Sequence, residues 1–362
     1  MTRTTARRTA LVALAAAALA APVATASQAA PSAAPTASVG WSVSAHLPTG
    51  SPGWRGQDLV LTSPGGTSKT VIGRVGRSER VVDVSGDGTR VLTVVYGDGS
   101  TRVTAHNTKA GTHSSFVVPR MEMVRYLDGA GSKVVLVRGW EAKDRVVEVR
   151  STTGALARTL HSPSRGTLDA PRVISTPDGA AVVLNRAGRL RLVDASSGAT
   201  IRTLSGRTGY SGCAPTHWWD TRSVTATCAV RSGSLKGTQQ VLRVPLAGTS
   251  SRITTTRGGM GMGWMDAWSH PKGTVAMSVN GCGPATALRL TAGQPEIALG
   301  VPSDHAQVQT VVGAGLSSPA TGGSCGEPGP ARLARHNLAT GTNTTVLGGG
   351  TVSSVAVVDL FQ

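Results

Sequence analysis

Short runs of alternating apolar and polar residues, interrupted by polar turns that hold a glycine, recur along most of the chain. Alternation with period two predicts strands that bury one face. The clearest case is LRLVDASSGATIRTL, Leu190 to Leu204: an alternating run, a turn with Gly198, and a second run of Thr, Ile and Leu. Glycine supplies the positive φ that a tight turn needs, so this segment predicts a hairpin. Val146 to Leu160 and Ala331 to Leu347 repeat the device, and weaker copies surround Gly66, Gly111, Gly248 and Gly293. Together with Gly154, Gly198 and Gly341 these make one turn repeated seven times, at steps of 45, 43, 44, 50, 45 and 48 residues.

A second series of strand, short turn and strand precedes these hairpins, starting near Val81, Val124, Arg172, His217, Trp264, Val308 and Val352. Two hairpins per repeat give four strands. A period in the forties built from antiparallel strands predicts an all-β fold, a seven-bladed β-propeller with four-stranded antiparallel blades. The last strand signal, from Thr351, has no second hairpin after it, and the hairpin at Gly66 has no full strand before it. The C-terminal strand is therefore expected to pair with the N-terminal blade and close the ring, which removes exposed sheet edges. One domain over residues 41–362 suffices, since each blade packs only on its neighbours.

Aromatic residues make up 3% of the chain, so Val, Leu, Ile, Ala and Thr must fill the layers between blades. Trp41, Trp54, Trp140, Trp218, Trp219, Trp264 and Trp268 are read as the few large plugs.

At the N-terminus, Arg3, Arg7 and Arg8 precede an apolar run from Thr9 to Ala21, and Ala24-Thr25-Ala26 has the small-x-small pattern of a cleavage site. Residues 1–26 read as a secretory signal peptide, and 27–40, rich in Ala, Pro and Ser, as a disordered leader. No later apolar stretch reaches the length of a membrane span. The mature chain is expected to be secreted, extracellular or associated with the cell wall, and monomeric. In that compartment four cysteines imply disulfides. Placement in the repeats favours Cys213–Cys228 across one hairpin and Cys282–Cys325 between the long loops of consecutive blades. No CxxC or His-x-His spacing accompanies them, so no metal site is expected.

The formal charge is +17, with 36 basic against 19 acidic residues. The basic residues are scattered, with no run of five, and arginines far outnumber lysines, which matches the composition of a GC-rich, actinobacterial-type genome. No specific nucleic-acid site is expected. Catalytic motifs are missing as well: there is no Gly-x-Ser-x-Gly elbow, His-Glu-x-x-His helix or phosphate-binding loop. Asp83-Val-Ser85-Gly-Asp87-Gly88 opens like a calcium loop, but Val94 stands where the closing Glu would fall, so a hairpin turn explains it better. Met260, Met262, Met265 and His270 offer soft ligands and read better as a loop leading into a strand. No cofactor is expected. His217, Trp218, Trp219 and Asp220 follow Cys213, and with Trp264 and Trp268 they are the candidate ligand-binding residues.

Thr176-Pro177-Asp178-Gly179, Ser85-Gly86-Asp87-Gly88-Thr89 and His270-Pro271-Lys272-Gly273-Thr274 resemble the Pro-Asp-Gly hairpin of TolB-like and WD40-like propeller repeats. Val193 to Gly198 is similar to the turn of YVTN-type repeats. The TolB resemblance implies a protein-interaction scaffold in the cell envelope. The expected function is therefore a non-catalytic binding or scaffold module that recognises a protein or an envelope glycopolymer through one face. The alternative is a lactonase- or lyase-like propeller enzyme with its site at the channel mouth.

Overall fold

The computed structural model describes residues 40–52, 55–204, 206–258, 263–270, 273–278, 287–291, 294, 296–299, 310–312, 315–321, 331–337, 340 and 342–358. The signal peptide and leader, Trp54, Met260, Met262, Cys282, Cys325, Gly293 and Gly341 lie outside the described residues.

The strands form four-stranded antiparallel sheets, seven of them among the described residues. Six are continuous in sequence. The second runs Arg80–Val84, Arg90–Gly97, Ser100–Asn107 and Thr112–Pro119, and the third Met121–Tyr126, Lys133–Arg138, Val146–Ser151 and Leu156–His161. The fourth comprises Val173–Ser175, Ala181–Arg186, Arg189–Asp194 and Thr200–Thr203. In the fifth, Tyr210–Asp220, Ser223–Val230 and Gln239–Pro245 are followed by the two-residue strand Ser251–Arg252. The sixth and seventh lead with Trp264–His270 and Thr310–Val312. The first sheet is composite: Gly350–Val357 pairs antiparallel with Ser42–Pro48, which continues into Gln57–Thr62 and Ser68–Val75.

The repeated turns have a chemical cause. At the end of the third strand of the fourth sheet, Asp194 Oδ1 accepts the backbone N–H groups of Ser196 (3.0 Å) and Ser197 (2.7 Å), and Gly198 takes φ 73°. Asn107 does the same for Lys109 and Ala110 in the second sheet, ahead of Gly111. These side chains stand in for a turn of backbone hydrogen bonds, and hydroxyls from Ser196 and Ser197 draw the Asp194 carboxyl down to about 2. The other hairpin of the repeat is built likewise. Asp87 accepts from Thr89 N–H and from the hydroxyls of Ser85 and Thr89, and Asp178 accepts from Ala180 N–H. Asp83 meanwhile accepts the Tyr126 N–H of the next sheet at 2.7 Å, so the two acids of the calcium-like stretch serve a turn and a contact between sheets.

Hydrophobic clusters sit between successive sheets. Leu92, Val94 and Val103 of the second meet Val124, Val134 and Leu136 of the third. Val147, Val149 and Leu160 of the third meet Val173, Val182 and Leu184 of the fourth. Leu333 and Leu347 of the seventh pack on Val60 and Val352 of the first. Burial of such side chains, at about 1.5–3 kcal/mol each, is the main force holding one sheet to the next.

Two expectations differ in detail. The leading strand of the fifth sheet begins at Tyr210 rather than near His217, because three irregularities in its register carry it through Gly212, Cys213 and Pro215. Trp140 is no plug: it stands 67% exposed in the connection between the second and third strands of the third sheet.

Candidate functional site

In an antiparallel four-stranded sheet, the link between second and third strands and the link to the next sheet lie at the same end. That end of the fifth sheet is where Cys213 and Cys228 form a disulfide between the first two strands, with Cα atoms 4.1 Å apart. Both cysteines are buried in the cluster that joins the fourth and fifth sheets.

A cleft of about 560 Å³ opens beside the disulfide, between these two sheets. Its floor is apolar, made by Leu190, Leu204, Leu242 and Val244, all buried. Arg189, which opens the third strand of the fourth sheet, and Arg207, from the link into the fifth, line it and are exposed. Tyr210 joins them. Other arginines are tied down within the chain: Arg138 to Glu148, Arg145 to Glu122, Arg243 to Asp220 and Arg158 to the Ser196 carbonyl.

The candidate residues drawn from the sequence separate into three settings. His217 stacks on Trp268 of the sixth sheet, with ring centroids 5.2 Å apart and planes within 9°. Its Nδ1 lies 3.1 Å from Thr225 Oγ1 and 3.2 Å from Asp266 Oδ1, and the Thr216 hydroxyl donates to the same Asp266 oxygen at 2.8 Å. This is a largely buried polar bridge between the leading strands of two sheets. Trp218 and Trp219 point to opposite sides of their strand, as period two requires. Trp218 enters the cluster between the fourth and fifth sheets and donates Nε1–H to the Ser175 carbonyl at 2.7 Å, whereas Trp219 packs on the cluster containing Val241, Trp264 and Ala267. Trp264 has no exposed surface and donates to the Thr256 carbonyl. Asp220 closes the turn after its strand, accepting from Arg222 N–H and the Ser223 hydroxyl, and pairs with Arg243. Burial works to raise its carboxyl, and those bonds together with the guanidinium outweigh it, leaving it below the usual range.

A second polar bridge was not singled out from the sequence. Glu79, in the link between the first and second sheets, accepts from the Thr93 hydroxyl at 2.5 Å and lies 3.0 Å from His106 Nε2, all three buried. Burial pushes the Glu79 carboxyl up, but the hydrogen bonds from His106 and Thr93 prevail and hold it lowered. Among the described residues no group of three or more His, Cys, Asp or Glu side chains is placed to hold a metal ion, and no helix is long and apolar enough to cross a membrane.

No protein-family model matches the sequence, and no curated protein matches it. Solved structures do. The β-propeller domain of the Trilobed protease from Pyrococcus furiosus superposes with a TM-score of 0.53 at 8% identity, over 81% of this chain and 87% of that one. The fold is that of a β-propeller. An acylaminoacyl peptidase in complex with Z-Gly-Gly-Phe-chloromethyl ketone matches with a TM-score of 0.51 at 10% identity, over 81% of this chain and 48% of the peptidase. TolB from Acinetobacter baumannii is similar at 11% identity and a TM-score of 0.49, over 88% of this chain and 66% of TolB. The chain thus spans about half the length of the peptidase and 66% of TolB. At these identities the likeness speaks to fold alone.

Proposed function

We propose that the chain is an exported protein, with residues 1–26 removed as a signal peptide and 27–40 retained as a disordered leader. Residues 41–362 then form a closed, seven-bladed propeller. It acts as a monomeric, non-catalytic binding module, and its ligand is a protein or a cell-envelope polymer, met by the end of the sheets that bears the disulfide.

The observation that carries this reading is the placement of exposed aromatics. Tyr96 is 55% and Trp140 67% exposed, in a chain whose aromatic content is 3%. Both stand where second and third strands join, in adjacent sheets, at the end that also holds the arginine-lined cleft. Tyr, Trp and Arg are the residues that dominate recognition hot spots, and leaving an indole in water costs solubility unless something covers it. The test is capture of envelope proteins and envelope polymers by the immobilised mature protein. Trp140→Glu with Tyr96→Glu is expected to lower capture at least tenfold. Capture that survives this change but is lost on Ser197→Glu, in a turn at the opposite end, would overturn the assignment.

The enzyme alternative has one observation in its favour, the meeting of His217, Asp266 and two threonine hydroxyls on leading strands. A lactone-hydrolysis or lyase activity lost in His217→Ala, with folding intact, would establish it in place of the binding reading.

A further inference from the structure

The cleft between the fourth and fifth sheets has the chemistry of a selective site. We infer that it binds an acidic peptide segment of a partner protein. The inference rests on the binding reading above and names the ligand class for this part of the face.

Three features support it. First, Arg189 and Arg207 line the same cleft, and neither guanidinium makes a hydrogen bond or ion pair with any described residue. A guanidinium is always charged and presents a planar fork of donors that fits a carboxylate. Asp169, beside Gly188 of the lining, is engaged as acceptor of the Gly188 N–H. Among the described residues no acidic side chain lines the cleft itself.

Second, the hydroxyls of Tyr210, Thr203 and Thr208 also line it with no partner among the described residues. A few convergent polar groups above an apolar surface is the usual make-up of a ligand pocket, and about 560 Å³ falls inside the usual range of about 300–1,000 Å³.

Third, the lining decides between peptide and polysaccharide. Leu190, Leu204, Leu242 and Val244 lie buried beneath the cleft, so a ligand meets the polar groups above them. Sugar rings gain most from flat aromatic platforms, and Tyr210 is the single aromatic lining residue among the described residues. The floor is also held: Cys213 lines the cleft, and its bond to Cys228 fixes the strand that carries Tyr210.

The test is fluorescence polarisation with three labelled probes: a capped peptide of alternating Asp and Leu, its Lys and Leu counterpart, and a uronic-acid oligomer. The mature protein is expected to bind the Asp peptide at least tenfold more tightly than either other probe. Arg189→Glu with Arg207→Glu should abolish that preference and favour the Lys peptide, while the melting temperature and the disulfide remain unchanged. Because both arginines are exposed, the double variant is expected to fold, and the gain of Lys-peptide binding is a positive signal that misfolding cannot imitate. Equal binding of the Asp peptide by wild type and variant, or tighter arginine-dependent binding of the uronic-acid oligomer, would overturn the inference. If no probe binds while envelope capture still depends on Trp140, the peptide assignment fails and the binding reading stands.

Discussion

His161 sets up a pH dependence that can be worked out from its surroundings. It ends the last strand of the third sheet, has no exposed surface, and neither ring nitrogen has a hydrogen-bond partner. Burial disfavours the imidazolium, and the nearby Arg186 and Arg165 add repulsion, so the group falls from an ordinary value of 6.5 to about 4, although the Gly166 backbone and Asp169 work weakly the other way. The native state therefore keeps His161 neutral while the unfolded chain protonates it below about 6.5. Stability due to this group is present above that pH and is lost as pH falls toward 4. Linkage gives a loss of about 2–3 kcal/mol between pH 7 and pH 4.5 from this residue alone. His161→Leu removes the titration and also the two unsatisfied nitrogens, so the variant should be at least as stable at pH 7. Urea unfolding of both proteins at pH 7 and pH 4.5 measures the double difference, which cancels the carboxylates they share. The variant should gain about 2–3 kcal/mol relative to wild type on acidification. Parallel stability curves for the two proteins across that interval would refute the reasoning.

Three further outcomes are expected. Glu79→Ala strands His106 and Thr93 in a buried site and should cost about 3–5 kcal/mol in denaturant unfolding, whereas Glu79→Leu with His106→Leu should recover part of it, read as a double-mutant cycle. Replacing both Cys213 and Cys228 by Ser opens a link that spans 15 residues and should cost about 3 kcal/mol, with wild type matching the variant after reduction. Trp218→Phe leaves the Ser175 carbonyl without its donor and should lower stability by about 1–3 kcal/mol, measured by thermal unfolding at neutral pH.

Much of the architecture was written in local chemistry. The turns at Gly111 and Gly198 were legible because a glycine with positive φ follows an Asn or Asp that caps the turn, and both signals lie within a few residues. The partnership of Ser42–Pro48 with Gly350–Val357 was legible because each was half of a repeat whose other half was missing. Contacts between repeats were not. His217 and Trp268 could be singled out as residues, but nothing in either sequence neighbourhood points to their stacking or to Asp266 as the acid beside His217. The Glu79–His106 bridge is likewise made across 27 positions without any motif. Arg189 and Arg207 were hidden for a different reason: in a chain with 36 basic residues, two arginines attract notice only when their lack of partners is seen. Trp140 misled because a tryptophan's size argues for burial unless the loop that carries it lies beyond the packed layers.

The composite first sheet has a consequence for the order of events in making the protein. Its leading strand, Gly350–Val357, leaves the ribosome some three hundred residues after its partner Ser42–Pro48. Until the late strand arrives, the early one presents an unsatisfied backbone edge, and pairing the two closes a loop of some three hundred residues, a slow step for β topologies. A chain cut before Gly350 would keep every other sheet yet expose that edge to any strand nearby. Truncation should therefore show itself first as self-association rather than as lost secondary structure, and a segment mimicking Gly350–Val357 should suppress it.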